Sequence, residues 1–502
     1  MRLSPSHFAD QNGLAYAGTT TKDHKKSNGQ FFTPLEIARY MASLSVPSGK
    51  EVVCCDPGCG HGVLTCALVE KLVAHGATSV HVDVFEKDLG VIPVLKENLD
   101  YLIDYFPEVA ISFDIHEENY LVWANKNFET VKERYDLVIS NPPYFKLNRG
   151  DINIQATDKF VKGITNIYAG FIVASIRLLK PDGEMIFIVP RSFTSGLYFK
   201  SLRRYLFKEI RLKHVHLFAS RTKTFKADKV LQETIIFKAN NREGTKVRVS
   251  VSQGAGDLNT DKPTAYQLTD LVDVASTEKI LHLPASEQDF ALVQKMLKLR
   301  YRLADHRIKV STGRVVAFRA KDALFRENQK GMVPLIWMNA ITSMKINWPV
   351  KDLDKPQYIS GSATSLLIPT GKYILQRRFS AKEDKRRLVC CPITEADFSC
   401  DQLGLENKTN FFYKIGGAFS QEELLGLSAL LNSDLYDRYF RMINGNINVS
   451  ATEMNLLPLP SLENIVKLGR YLIENSLSDK PEVFDDAIET IVFEEAQFLA
   501  TA

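Results

Sequence analysis

Residues 135–145 read Tyr-Asp-Leu-Val-Ile-Ser-Asn-Pro-Pro-Tyr-Phe. An apolar, strand-like run stops at two prolines, which have no N–H to give a sheet ladder. The break is flanked by a side-chain amide, Asn141, and an aromatic ring, Tyr144. A turn that was merely rigid would need neither. A second candidate lies upstream, where Glu51–Asp56 runs into Pro57-Gly58-Cys59-Gly60-His61-Gly62. Three glycines in a strand-to-helix turn let backbone come close to a ligand and supply positive φ. The spacing is not G-x-G-x-x-G, so a dinucleotide pyrophosphate fits poorly. Taken alone, the turn is compatible with a ligand or with simple tight packing. Glu86 stands thirty residues beyond Asp56, at the end of the next strand-like run. A carboxylate there can accept both hydroxyls of a ribose, or it can be a solvated strand-end acid. The two features together favour a nucleoside-bearing cofactor.

These residues need elements to position them. Between residues 51 and 240 strand and helix patterns alternate. Strands are predicted at 51–56, 81–88, 109–115, 135–140, 184–190, 214–218 and 231–239. Helices are predicted at 61–77, 91–106 and 167–179, the last closed by Lys180-Pro181-Asp182-Gly183. Repeated strand–helix units imply a mostly parallel sheet covered on both faces, with ligands beyond the carboxyl ends of its strands. Residues 241–285 are polar and read as a connection, with a short hairpin at 247–251. Residues 286–465 mix short strands with loops, and 466–502 reads as helical with acidic clusters.

The whole chain sets outer bounds. Its 502 residues exceed one core and imply two or three domains. With 45% hydrophobic and 24% charged residues it is of ordinary globular composition. The start lacks an apolar leader and no run is long enough to span a bilayer, so the expected location is the cytoplasm, away from membranes. Seven cysteines show no C-x-x-C spacing and read as reduced, buried thiols, with no metal site. A net charge of +4 neither demands nor excludes nucleic acid. The segment 371–388, GKYILQRRFSAKEDKRRL, is locally basic, which by itself describes a solvated face.

The ordered set GQFFTP (29–34), DPGCGHG (56–62), Glu86 and NPPY (141–144) resembles the gamma class of S-adenosylmethionine-dependent DNA amino-methyltransferases, above all the adenine-N6 modification methylases of type II restriction–modification systems. The resemblance is carried by residues 29–240 and is looser to about 460. It implies an α/β fold: a Rossmann-like methyltransferase domain with a mostly parallel seven-stranded sheet at 1–240, then a mixed α+β target-recognition domain at 286–465. It implies S-adenosyl-L-methionine as cofactor, held by Phe32, Thr33, Asp56, Pro57, Gly58, Gly60 and Glu86. Asn119-Tyr120 stands where the family has an acid and an aromatic against the cofactor adenine. Asn for Asp is a departure; its oxygen can still accept from an amino group, and Glu118 is the alternative.

The resemblance also gives NPPY a chemistry. An exocyclic amino nitrogen is a poor nucleophile because its lone pair is delocalised into the base. Acceptors on both of its N–H groups, the Asn141 side-chain oxygen and the proline-fixed carbonyl of Pro142, would favour a pyramidal nitrogen with a freed lone pair. Tyr144 would stack on one face of a flipped-out base. Phe225 is the match for an aromatic on the other face, with a core role as the alternative. Methylation of cytosine carbon 5 is disfavoured, since it needs a Pro-Cys pair and no proline here precedes a cysteine. Cys59 is more simply a small residue in a tight turn.

A duplex substrate needs a second domain to read bases and hold phosphates. In that context Arg314, Arg377, Arg378, Lys382, Arg386 and Arg387 are expected to contact double-stranded DNA. A Mg²⁺ nuclease set is matched only loosely by Asp397 and Glu406-Asn407-Lys408. The chain is expected to act as a monomer in the bacterial cytoplasm, at the nucleoid when bound, with a separate cognate restriction endonuclease. Rival expectations keep the fold but move the acceptor to cytosine N4, RNA or protein glutamine, or make the chain a non-catalytic specificity subunit.

Overall fold

The computed structural model of the protein describes residues 2–21, 32–46, 49–148, 150–218, 233–258, 262–273, 276–380, 384–444 and 448–494. It divides into two units, 1–285 and 286–502.

Unit one opens with helices α1 (Pro5–Thr19) and α2 (Leu35–Ser43). There follow β1 (Glu51–Pro57), α3 (Val63–Ala74), β2 (Ser79–Phe85), α4 (Ile92–Tyr105), β3 (Ala110–His116), α5 (Tyr120–Lys126), β4 (Tyr135–Ser140), α6 (Ile152–Asp158) and α7 (Ile167–Leu178). Next come β5 (Leu179–Pro190), α8 (Lys200–Glu209), β6 (Arg211–Phe218), β7 (Thr234–Asn240), β8 (Lys246–Ser252) and β9 (Thr264–Gln267). The sheet has nine strands in the order β3-β2-β1-β4-β5-β7-β6-β8-β9. β1, β2, β3, β4 and β5 run parallel, while β7 is antiparallel to both of its neighbours.

The seven predicted strands and three predicted helices are present. Their periodicity is clear because the central strands are covered on both faces: Val80, Val82 and Val84 of β2 and Val138 and Ile139 of β4 are fully buried. The expectation for 241–285 is corrected. This segment is not a bare connection, because Val247 and Val249 bury themselves while β8 pairs in parallel with β6 and β9 closes the edge. Helix α1 was not anticipated. It carries a weak apolar pattern and packs through Ala9 and Gly13.

Unit two holds two main sheets. One orders Ile308–Thr312, Thr409–Lys414, Tyr373–Arg377 and Cys390–Ile393, all antiparallel. The other has five strands, among them Met332–Ile336 and Gln402–Leu405. Helices Gln421–Asn432 and Leu462–Glu474 cross backbone to backbone. A Cβ added at Gly426 would stand 2.0 Å from the Ile465 carbonyl oxygen, and one at Gly469 would stand 1.9 Å from that of Glu422.

A candidate active site at the carboxyl edge of the sheet

Because β1 to β4 are parallel, their carboxyl ends lie on one edge, and the glycine turn, Glu86 and NPPY leave the sheet there. A cavity open to solvent sits at that edge. Phe32, Gly58, Gly60, Glu86, Asn119, Tyr120, Asn141 and Pro143 line it, joined by Phe85 and Phe171, which the sequence did not single out. Phe171 lay hidden within α7, a helix that is apolar all round.

The glycine turn is shaped as its composition requires. Gly58 and Gly60 have φ of 74° and 57°, a region where a side chain is strained. A Cβ at Gly60 would also press on the Phe32 ring at 3.4 Å. The turn is tied to β2 by Gly58 and Cys59, whose N–H groups donate to the Phe85 carbonyl at 2.9 and 3.0 Å. Glu86 is buried and accepts from the Gly60 N–H at 3.1 Å and the Asp88 N–H at 2.8 Å. Burial raises its carboxyl above the usual range, and these two donors act the other way.

Asp56 is fully buried. Thr65 donates its hydroxyl to Oδ2 at 2.7 Å, while Oδ1 has no hydrogen-bond partner. Burial pushes this carboxyl up to about 7. A buried carboxylate oxygen without a donor is costly, which is why burial favours the protonated form here. Phe85, Tyr120 and Phe171 supply apolar walls; Tyr120 packs 5.1 Å from each of the other two rings, and its hydroxyl meets Ser175 at 3.0 Å. An acid at the ribose position and flat apolar walls together fit a nucleoside, while Asp56 lies behind the glycine turn and does not line the cavity.

Asn119 stands on the cavity wall. Its side-chain oxygen caps α5, accepting from the Leu121 and Val122 N–H groups at 3.0 and 3.3 Å, and its amide nitrogen donates to Asn153 at 2.9 Å. Both ends of the amide are committed inside the protein, as an N-cap requires. Glu118, also on the cavity wall, keeps only an outward ion pair with Lys126 at 3.4 Å.

Asn141 follows β4 directly and is 9% exposed. Its Nδ2 donates to Thr33 Oγ1 at 3.0 Å, and the Tyr144 hydroxyl donates to its Oδ1. That hydroxyl also lies 2.9 Å from the Ile188 carbonyl. The Tyr144 ring plane is thus pinned, edge-on to Tyr168. Pro142 is buried beside it. Cys59 is buried and its thiol is raised far above the ordinary value, which fits a small packing residue. His61 is a residue whose role the sequence did not reveal. Its buried ring lies 4.8 Å from that of Phe32, and burial lowers it to about 4, so it is neutral. A Cβ on Gly13 would collide with it at 2.3 Å, which explains a glycine inside α1. Phe225, Lys382 and residues 29–31 lie outside the described residues.

The basic residues of unit two separate into different roles. Arg314 is exposed and donates once, to the Leu367 carbonyl at 2.9 Å, on a groove shared with Ser311, Thr312, Tyr373 and Tyr413. Arg377 and Arg378 are half-buried, donating to the carbonyls of Ile341 and Asn407 at 2.7 and 2.9 Å. Arg386 is paired with Asp434 and the Asn432 carbonyl. Arg387 is 1% exposed, with Nε donating to Ser380 at 2.8 Å and its guanidinium 5.7 Å from the Phe440 ring. The expectation that Arg387 contacts DNA is corrected: it has no surface to offer a phosphate. Among the loose nuclease set, Asp397 caps its own short turn through Thr394, and Glu406 accepts from the Lys408 N–H.

Comparison with known proteins agrees with this geometry. The family described as Eco57I restriction-modification methylase matches residues 64–225. The chain is 32% identical over 465 residues to the type II methyltransferase M.BsuBI of Bacillus subtilis, covering 90% of this chain and 91% of that one. It is 32% identical over 477 residues to the type II methyltransferase M.PstI of Providencia stuartii, covering 92% and 93%. Its fold is similar to that of the type IIL restriction-modification enzyme MmeI, solved in complex with DNA, with a TM-score of 0.60 at 12% identity over 98% of this chain and 79% of that one. With a predicted fold observed, its motifs gathered in one cavity and near full-length relatives at this identity, the chain belongs to the type II methyltransferases, DNA methyltransferases of restriction–modification type.

Proposed function

We propose that this DNA methyltransferase takes its methyl group from S-adenosyl-L-methionine and places it on the N6 amino group of a flipped adenine in duplex DNA, marking host DNA against a cognate endonuclease. One observation carries the reading: Asn141 lines the same cavity as the glycine turn and Glu86. When bound, the cofactor supplies an electrophilic methyl carbon on a positively charged sulfur. Glu86 would hold the ribose hydroxyls, with Glu118 and Tyr120 at the adenine. Phe32, on the cavity wall, and Thr33 would lie toward the charged tail, with Asp56 behind the glycine turn.

Asn141 Oδ1 and the Pro142 carbonyl would accept the two N–H groups of the target, leaving its lone pair free for in-line attack. No strong base is needed for this step, because placement and fixed dipoles supply the acceleration. The pinned Tyr144 ring would stack on the extruded base, with Phe225 opposite. Extrusion itself follows from the chemistry, since a paired base cannot enter such a cavity. Arg314, Arg377 and Arg378 would meet the DNA, with Arg314 best placed for a base edge. Asn141 favours adenine N6 over cytosine N4, where the resemblance would have Ser.

The test is incubation with labelled cofactor and diverse duplex DNA, followed by nucleoside analysis. Formation of 6-methyladenine is expected. A product confined to N4-methylcytosine, or label on RNA or protein alone, overturns the assignment.

A further inference from the structure

A single helical turn, Leu197–Phe199, follows β5, which is parallel to β4 and ends at the same edge of the sheet as the cavity. Its last residue points inward. Phe199 is buried and stacks on Tyr168 at 5.3 Å, and Tyr168 meets the Tyr144 ring edge-on at 6.3 Å. The two residues before it point outward: Leu197 is 44% exposed and Tyr198 68%. Lys146 is exposed as well, and its ammonium lies 5.1 Å from the centre of the Tyr198 ring. The backbone around Lys146 is bonded to the rim of the cavity. Leu147 N–H donates to the Thr165 carbonyl at 2.9 Å, and the N–H of Ile167, a cavity residue, donates to the Phe145 carbonyl at 3.1 Å.

A lone exposed ring is ordinary on a protein surface. This one is anchored through Phe199 and Tyr168 to the NPPY turn, and it carries a cation over its face. A duplex that offers a base to the cavity must come to rest against this rim. The departing base leaves a gap, and its former neighbours lose a stacking partner. A flat ring can take that place, because every base has a face on which to stack, and the ammonium beside it favours the approach of a phosphate backbone. We propose that Tyr198 takes part in extruding the target base by entering the stack that the base leaves. This rests on the DNA amino-methylation reading above, and it gives a role to a residue outside the cofactor cavity.

The methylated site is first mapped by sequencing genomic DNA treated with the wild-type enzyme. Duplexes carrying that site are then made with the target base either paired or opposite an abasic position, where extrusion costs least. Single-turnover methylation is timed at saturating DNA and cofactor, with Tm as the check on folding. Tyr198→Ala is expected to slow methylation of the paired target by about tenfold or more, and most of that loss should vanish on the unpaired target. Tyr198→Phe, which keeps the ring, should restore the rate on both. Three results overturn the inference: Ala matches wild type on the paired target; Ala is equally slow on both duplexes; or Phe is as slow as Ala. A wild-type enzyme that methylates no amino group on DNA removes the underlying reading instead, so the two failures are distinct.

Discussion

Ser140 donates its hydroxyl to the Pro57 carbonyl oxygen at 2.7 Å, and both residues are buried. This bond joins the last residue of β4 to the last residue of β1, one step before Asn141 and one before Gly58. The two motifs are therefore held in register by a side chain belonging to neither. Ser140→Ala should leave a buried carbonyl unpaired and cost about 2 kcal/mol, read as a lower Tm. It should also slow turnover, because small displacements of a reacting geometry are expensive.

Asn141→Ala should reduce kcat by about a hundredfold or more, the scale seen when one fixed polar group at a reacting centre is removed. Cofactor affinity should be nearly intact, because Glu86 and the glycine turn are held by their own bonds. Calorimetry beside kinetics checks this, and equal loss of both would contradict the role.

Asp56 makes a pH prediction. Its carboxyl is about 7 in the fold and ordinarily 3.8. The folded state therefore binds the proton more tightly than the unfolded chain. The associated stability is full below pH 3.8 and is lost as pH rises through 7. Asp56→Asn, which cannot ionise, should melt higher than wild type at pH 8, with the gap closing toward pH 4. Cofactor binding should weaken in the same variant. A gap independent of pH in a melting series would refute the assignment.

Arg387→Ala should act on stability alone. Removing a buried guanidinium bonded to Ser380 and packed near Phe440 should cost about 3 kcal/mol. The salt dependence of DNA affinity should keep its wild-type slope. Arg314→Ala should do the reverse, with little change in Tm and weaker DNA affinity, since its side chain is exposed and bonded once. Melting curves and salt titrations of the two variants separate these outcomes.

Much of unit one was legible because its strands are buried on both faces and its punctuation is strong: glycines with positive φ at 58 and 60, and a helix stopped before Pro181. Glu86 and Asn141 could be placed because a parallel sheet brings its carboxyl ends together. What could not be read depends on contacts between distant residues. Nothing local announces that Thr65 reaches Asp56 or that Gly13 makes room for His61. The basic stretch misled at Arg387 because charge along a sequence does not reveal direction, and this one points inward. Strand β8 was seen only as half a hairpin, since its partner β6 is distant in sequence.

The glycine crossing of the two helices in unit two has a bearing on how such a chain can change its target. Where backbones touch directly, there is no side-chain jigsaw to be recut when neighbouring residues mutate. The crossing acts as a keel that admits no side chain at Gly426 or Gly469. Drift in the bend that carries Arg314 and the strand that carries Tyr373 can then explore new surface chemistry while this crossing stays fixed.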